Sequence, residues 1–309
     1  MLALYALGLG LIHSWFDPLQ RWGLHAADTE QPKQLLAYIP GLDGGNGSPF
    51  VHFPSLSDSF KVRVQDVCFS PGASAASFGD IVEDVASFLR SESAESDARG
   101  SLLMGESYGG VIAAGVALAH PNLVRGLILV NPATAVSVMP ELQEDIRYLR
   151  SGSIPDALLP LVLFVKVGSK TFDLGFVATA VREIFVEKKM QRLRETAPEL
   201  ARYYDSALAD FVGQLTSLKE ASFWRGRLAQ LVHGCAHVEL RLRKISPPTL
   251  IVAGTADVLL NSEAEAARLA RLLPVCDVEL VAGAGHAGTL DQRVDLPSVV
   301  RAWASKRGI

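Results

Sequence analysis

Short apolar runs alternate with helix-like periodicity along most of this sequence from about residue 33 onward. Six of these runs predict strands. Gly126–Asn131 and Thr249–Ala253 are continuously apolar, as buried parallel strands are, whereas the valines of Lys61–Val67 alternate at roughly strand spacing. Strands that alternate with helices predict an α/β architecture, a mostly parallel sheet with helices on both faces. The six runs are Gln34–Ile39, Lys61–Val67, Ser101–Glu106, Gly126–Asn131, Thr249–Ala253 and Val278–Ala282.

Capping signals mark where the helices between these runs begin. Ser77 and Asp80 have the spacing of a capping box, and apolar positions at helical spacing follow them. Ser262 and Glu265 repeat that spacing and predict a second capped helix through Leu273. Two further helices are predicted over Val111–Ala119 and Leu296–Ala304.

The alternation stops between about Pro132 and Leu240, where the pattern is mostly helical and rich in aromatic residues. Neither a repeat nor a flexible linker separates this stretch from its surroundings, so we interpret it as an insertion. The sequence therefore predicts a single domain over 1–309. Its predicted parts are an N-terminal extension at 1–32, a core at about 33–133 and 241–309, and a helical cap at about 134–240.

The first twelve residues, Met1–Ile12, are apolar but shorter than the roughly 20 residues that span a bilayer. No Lys or Arg precedes them, as it would in a secretory signal, and the Arg and Ser enrichment of a transit peptide is missing. The pattern favours a packed N-terminal helix or a truncated upstream segment over membrane contact.

Composition and net charge indicate which kinds of binding partner and which cellular compartment to expect. The 309 residues carry 29 Lys+Arg against 33 Asp+Glu, and 49% of them are hydrophobic, which is typical of a well-buried core. A net charge of −4 disfavours a nucleic-acid partner. The three scattered cysteines indicate neither a disulfide framework nor a zinc cluster, so a reducing, cytoplasmic compartment is the default.

One histidine pair has a spacing that can bind metal. His233 and His237 stand four residues apart, which places two side chains on one helical face. The intervening Gly234 and Cys235 predict a poor helix, so the pattern disfavours a metal site.

A nucleophile motif stands at the junction of a predicted strand and helix. Gly105-Glu106-Ser107-Tyr108-Gly109-Gly110 contains Gly-x-Ser-x-Gly, in which a sharp turn projects the serine hydroxyl clear of the sheet. A serine needs a base and an orienting carboxylate, which in this motif's context follow in the order Asp or Glu, then His. Asp257 and His286 follow two later strands in that order. The sequence therefore predicts a triad of Ser107, Asp257 and His286.

An oxyanion hole requires two backbone N–H groups aimed at the developing negative oxygen. Tyr108 follows the nucleophile and supplies one predicted donor. Leu42 supplies the other, from the glycine-containing loop Pro40–Gly45 after the first strand. That loop lacks the Lys-Ser/Thr ending of a phosphate-binding loop, so we favour the oxyanion interpretation. This chemistry requires neither a metal nor an organic cofactor.

Several segments together resemble the esterase/lipase/thioesterase domain of plant and algal phytyl ester synthases, which has the α/β-hydrolase fold. One is the nucleophile motif Gly105–Gly110, which we call the elbow and which is similar to Gly-Asp-Ser-Phe-Gly-Gly in that family. The others are Trp15–Leu19, Pro40–Gly44, Asn131–Thr134, Pro247–Leu269 and Gly285-His286. The resemblance implies fatty acyl transfer to phytol or diacylglycerol, lipophilic acyl donors, contact with a lipid surface and a chloroplast setting. Family members continue into an acyltransferase-like second half, whereas this sequence ends at Ile309, so hydrolysis and transfer both stay open.

Three further interpretations remain beside acyl transfer. A simple lipid esterase needs the same triad with water as the acceptor, and a catalytically silent relative would only bind a lipophile. A peptidase of the proline-iminopeptidase type needs acidic cap residues, and Glu183, Glu187, Glu195 and Glu199 have the spacing of a solvated helix face. The apolar run Ala157–Val165 suits an acyl-chain pocket or lipid contact, although a buried cap helix explains it slightly better.

Overall fold

The computed structural model describes residues 33–42, 52–65, 76–93, 100–163, 191, 194–195, 198, 201–202, 220–289 and 293–309. Six parallel strands form one sheet in the order β2-β1-β3-β4-β5-β6. The strands are β1 (Leu35–Ile39), β2 (Lys61–Val64), β3 (Ser101–Glu106), β4 (Val124–Val130), β5 (Thr249–Gly254) and β6 (Cys276–Val281). The α-helices are α1 (Phe53–Leu56), α2 (Phe78–Ser93), α3 (Tyr108–Ala119), α4 (Pro140–Arg150), α5 (Leu159–Leu163), α6 (Ala221–Glu239), α7 (Ser262–Leu272) and α8 (Leu296–Arg307). Short 3₁₀ turns occupy Pro121–Leu123, Ala133–Ser137 and Leu242–Lys244.

The parallel sheet predicted from the apolar runs is confirmed. Each strand falls on one of the six runs, with ends that shift by up to two residues where the structure describes them. The second strand is shorter than predicted and stops at Val64, and the last two residues of its run lie outside the described residues. Continuous apolar runs predict β1, β3 and β5 well, because these three strands are buried along their whole length.

Apolar packing covers both faces of the sheet, as an α/β architecture requires. On one face, α2, α3, α6 and α7 pack against side chains such as Leu103 and Leu129. On the other face, α1 and α8 enclose a second cluster that contains Phe53 and Trp303. Helix α3 is apolar all round and fully enclosed along most of its length, which fixes its position behind β3.

One of the two predicted capping boxes forms and the other does not. The Ser77 amide donates to Asp80 Oδ2 at 2.8 Å, and the Asp80 amide donates to Ser77 Oγ at 3.2 Å. The box predicted at Ser262 and Glu265 is wrong. Asn261 caps α7 instead, by accepting a hydrogen bond from an amide of the first turn. Other partners explain the error, since the Ser262 hydroxyl donates to Asp257 in the preceding loop, and Glu265 accepts from the distant Thr134 and from Arg268 on its own helix.

The poor helix predicted around Gly234 is also wrong, because α6 continues from Ala221 to Glu239. A Cβ atom on Gly234 would lie 2.5 Å from Cε2 of Phe78, so the glycine leaves room for that ring to pack. Close contact with α2 therefore offsets the roughly 1 kcal/mol that glycine costs inside a helix.

The described residues between 134 and 240 contain helices and turns but no strand. The division into a core, a cap at about 134–240 and an extension at 1–32 stays a prediction, and residues 1–32 lie outside the described residues. None of the helices described is both long and apolar enough to cross a membrane.

Candidate active site

The carboxyl ends of the parallel strands meet at one edge of the sheet, and the predicted site residues follow four of these ends. Leu42 follows β1, Ser107 follows β3, Asp257 follows β5 and His286 follows β6. Open parallel sheets bind their ligands at this edge. Residues far apart in sequence are thus brought to one place by the topology alone.

Ser107 occupies a strained turn between β3 and α3. Its φ of 53° and ψ of −118° lie in a region that non-glycine residues rarely adopt. The backbone holds this conformation, since the Ser107 amide donates to the Val130 carbonyl at 2.9 Å. The Ser107 carbonyl accepts from the Gly110 and Ala133 amides, each at 3.0 Å.

Hydrogen bonds connect the three residues of the predicted triad. His286 Nε2 lies 3.0 Å from Ser107 Oγ, and His286 Nδ1 lies 2.8 Å from Asp257 Oδ2. His286 and Asp257 are both buried. An imidazole in this position can take the proton of the serine hydroxyl while the carboxylate orients its other nitrogen.

Asp257 is held as a carboxylate by several donors. Its Oδ1 accepts from the Leu259 and Leu260 amides at 2.9 and 3.2 Å, and its Oδ2 accepts from the Ser262 hydroxyl. Burial by itself raises the pKa of Asp257. The hydrogen bond and charge of His286, together with Ser262 and the Leu259 amide, outweigh that effect and keep the pKa below its usual value.

Asn131 forms hydrogen bonds through its side chain to both segments that carry the other predicted triad residues, the end of β5 before Asp257 and the loop of His286. It follows β4 with a φ of 42°, and its Oδ1 accepts from the Gly254 amide at 2.8 Å. Its Nδ2 donates to the Gly285 and His286 carbonyls at 3.0 and 2.7 Å. The sequence reasoning missed this positioning function, although the place of Asn131 at a strand end was a usable signal.

Glu106, a residue of the elbow, forms hydrogen bonds with Thr289 in the loop that carries His286. Its carboxylate is buried and accepts from the Tyr38 hydroxyl at 2.7 Å and from the Thr289 amide at 2.9 Å. The Thr289 hydroxyl makes a further hydrogen bond to it. Burial raises the pKa of Glu106 above its usual value, and these hydrogen bonds oppose the rise only in part. The sequence reasoning missed this contact too, although a charged residue inside the elbow could have indicated it.

The raised pKa of Glu106 predicts a specific pH dependence of stability. Between the ordinary pKa of 4.5 that applies to the unfolded chain and the higher folded pKa, the folded state binds more protons, so the free energy of unfolding decreases as pH rises. Glu106→Gln removes this titration. We expect the stability of the wild type relative to Glu106→Gln to decline as pH rises from 4 through the folded pKa and then to level off.

Urea unfolding of both proteins between pH 4 and pH 8 measures this difference. Glu263→Gln is the matched control for the loss of one carboxylate, because Glu263 is exposed on α7. A difference between wild type and Glu106→Gln that does not change with pH would contradict the prediction.

The two predicted oxyanion donors belong to neighbouring elements. Leu42 lies in the turn after β1, which pairs with β3, and Tyr108 is the first residue of α3. The first amides of a helix have no intrahelical acceptor, and the helix dipole makes this end positive. The Tyr108 amide therefore has the electrostatic character that an oxyanion donor needs.

Comparison with known proteins agrees with this architecture. Residues 69–293, which are more than half of the chain, match the family model described as serine aminopeptidase, S33. Phytyl ester synthase 1, chloroplastic, of Arabidopsis thaliana is 29% identical over 95% of this chain and 39% of its own length. Phytyl ester synthase 2, chloroplastic, of the same plant is 27% identical over 93% of this chain and 39% of its own length. The chain thus spans about two fifths of the length of these two relatives.

Solved structures share the fold at low sequence identity. MenH from S. aureus superposes with a TM-score of 0.58 at 16% identity, over 91% of this chain and 97% of that protein. A thermophilic esterase from Thermogutta terrifontis gives a TM-score of 0.57 at 17% identity, over 90% and 92% of the two chains. The chain has the α/β-hydrolase fold and is an enzyme of the hydrolase or acyltransferase type. It belongs to the serine aminopeptidase S33 family, and its resemblance to phytyl ester synthases is confirmed.

Proposed function

We propose that this enzyme is a serine acyl hydrolase or acyltransferase that acts on lipophilic fatty acyl esters or thioesters. Ser107 is the nucleophile, His286 is the general base and acid, and Asp257 orients the imidazole. The observation that carries the proposal is the continuous hydrogen-bond chain of 3.0 and 2.8 Å from the serine hydroxyl to the carboxylate. The donors to both Asp257 carboxylate oxygens, which lower its pKa, support its part in this scheme.

The reaction has two half-reactions that share one acyl-enzyme. Ser107 Oγ attacks the acyl carbonyl carbon while its proton passes to His286 Nε2. The Leu42 and Tyr108 amides bind the negative oxygen of the tetrahedral intermediate. The intermediate then expels the alcohol or thiol, which takes the proton from His286. In the second half, His286 removes a proton from water or an alcohol, and that oxygen attacks the acyl carbonyl carbon. The bond to Ser107 Oγ then breaks, and Ser107 Oγ takes the proton back from His286.

The lipophilic nature of the substrate is proposed from two observations. Two relatives that align with more than nine tenths of this chain are named phytyl ester synthases. The predicted cap also includes α5 and the residue before it, where Leu158 and Leu161 are half-exposed while Leu159 and Leu163 are buried. Such an amphipathic segment can contact a lipid surface. A chloroplast setting and the acceptors phytol and diacylglycerol belong to the same proposal.

Acyl-enzyme partitioning tests the proposal. Purified protein receives a long-chain acyl donor with and without phytol or diacylglycerol, and free acid and new ester are both quantified. We expect ester to form at the expense of acid when the alcohol is present, and both products to disappear in Ser107→Ala. Free acid alone, unchanged by either alcohol, would make this chain a lipid esterase.

Two other results would favour the remaining functions. Release of an amino acid from an aminoacyl amide, without turnover of acyl esters, would indicate a peptidase. Of the four acidic residues considered for a substrate amino group, Glu195 is exposed and the other three lie outside the described residues. Binding of the donor without either product, and without reaction of Ser107 with a fluorophosphonate, would indicate a silent lipophile-binding protein.

A further inference from the structure

Helix α6 carries an arginine that is fully buried beside the elbow. Arg227 is 0% exposed and is the largest side chain to be enclosed so completely in the described part of the chain. A guanidinium group is positively charged at every pH at which proteins fold, and burying a charge without a counter-ion is costly. A charge in this position therefore calls for an explanation.

The contacts of Arg227 do not neutralise that charge. Its guanidinium donates to the Gly41 and Leu42 carbonyls and to Gln230 Oε1, each at 3.4 Å, which is long for a hydrogen bond. Among the residues that the structure describes, it has no carboxylate partner. Arg268, by contrast, binds Glu239 and Glu265 at distances of 2.6 to 2.8 Å.

These contacts reach both residues that supply the predicted oxyanion donors. The guanidinium carbon lies 4.7 Å from the centroid of the Tyr108 ring, which is a cation–π geometry. The carbonyls of Gly41 and Leu42 point toward the same group. In a trans peptide the C=O and the following N–H point in opposite directions, so the Leu42 amide is directed away from Arg227.

We infer that Arg227 is a positioning residue for the oxyanion hole. It orients the peptide between Gly41 and Leu42, and its buried positive charge favours negative charge on the substrate oxygen nearby. Long hydrogen bonds do not abolish this effect, because the field of a fully buried charge declines slowly with distance. The inference rests on the proposed function, and it links a helix of the predicted cap to the chemical step.

Two neutral variants and one charged variant test this inference on the full chain. In Arg227→Met and Arg227→Gln, we expect kcat for a p-nitrophenyl acyl ester to decrease by about 10- to 100-fold, with KM within threefold of the wild type. The rate constant for inactivation by an alkyl fluorophosphonate should decrease by a similar factor, because its phosphoryl oxygen needs the same donors. Arg227→Lys, which keeps the charge, should restore most of both rates.

Arg225→Met is the matched control, because Arg225 lies on the same helix and pairs with the exposed Asp156. Its kcat and inactivation rate should match those of the wild type. Circular dichroism identifies the variants that fold, and the use of two neutral replacements keeps the test decisive if one of them does not.

The outcomes separate this inference from the proposed function. If the wild type fails to react with the fluorophosphonate, the proposed function is wrong and the inference is wrong with it. If the wild type reacts and the folded neutral variants react within twofold of its rate, only the inference is overturned. It is also overturned if Arg227→Lys is as slow as Arg227→Met, or if KM rises while kcat is unchanged, which would indicate that Arg227 binds an anionic substrate.

Discussion

Replacing Ser107 with alanine is expected to lower kcat for an acyl ester by about 10⁴- to 10⁶-fold. The variant lacks the only oxygen that lies within hydrogen-bond reach of His286 Nε2 among the described residues, so no acyl-enzyme can form. The fold should persist, because the backbone hydrogen bonds that hold the elbow do not involve the Ser107 hydroxyl. Initial rates with a p-nitrophenyl ester and thermal unfolding measure the two effects separately.

The control for this replacement is Ser91→Ala, a change of the same size at an exposed serine near the end of α2. Its activity should equal that of the wild type. Full activity in Ser107→Ala would show that the nucleophile lies elsewhere. Loss of structure in the same variant would make its inactivity uninformative, and a fluorophosphonate adduct mapped to Ser107 in the wild type would then decide the assignment.

Replacing Gly109 with alanine is expected to produce the largest loss of stability among these variants. A Cβ atom there would lie 2.2 Å from the Ile39 carbonyl oxygen and 2.5 Å from the Pro40 carbonyl oxygen. Both are backbone atoms at the end of β1 and cannot rotate away, so α3 and β1 must separate. We expect the free energy of unfolding to decrease by about 3 kcal/mol, and activity to decrease with it because Pro40 opens the predicted oxyanion loop.

Urea unfolding of Gly109→Ala and of the control Gly79→Ala measures the free energy of unfolding of each variant. The comparison separates the steric clash at Gly109 from the general effect of replacing glycine with alanine in a helix. Gly79 lies in the first turn of α2, where an added Cβ would make only ordinary contact at 3.6 Å with Ser77 Oγ. Alanine favours the helix at that position, so Gly79→Ala should be as stable as the wild type or up to about 1 kcal/mol more stable. A Gly109→Ala protein as stable as the wild type would contradict the close packing of the elbow against β1.

Short sequence patterns were sufficient to predict the strands and the position of the proposed nucleophile Ser107. Buried parallel strands are apolar on both faces, so continuous apolar runs located β1, β3 and β5, which are buried along their whole length. The less buried β2 and β6 were located by shorter aliphatic segments between turn residues. The elbow was recognisable because its tight turn requires small residues at fixed positions around Ser107. Asp257 and His286 followed from chain order, since the carboxyl ends of parallel strands lie at one edge.

Contacts between distant segments decided the features that the sequence did not determine. Glu265 has the sequence context of a capping box but accepts a hydrogen bond from Thr134, 131 residues away, and Gly234 sits inside a helix because Phe78 packs against it. Glu106 and Arg227 acquire their surroundings from segments more than 60 residues away, such as Thr289 and Leu42. Local propensities amount to roughly 1 kcal/mol or less per residue, whereas a buried charge without its partners costs several. Side chains of this kind therefore take the partners that the assembled fold brings to them, which no local pattern in the sequence encodes.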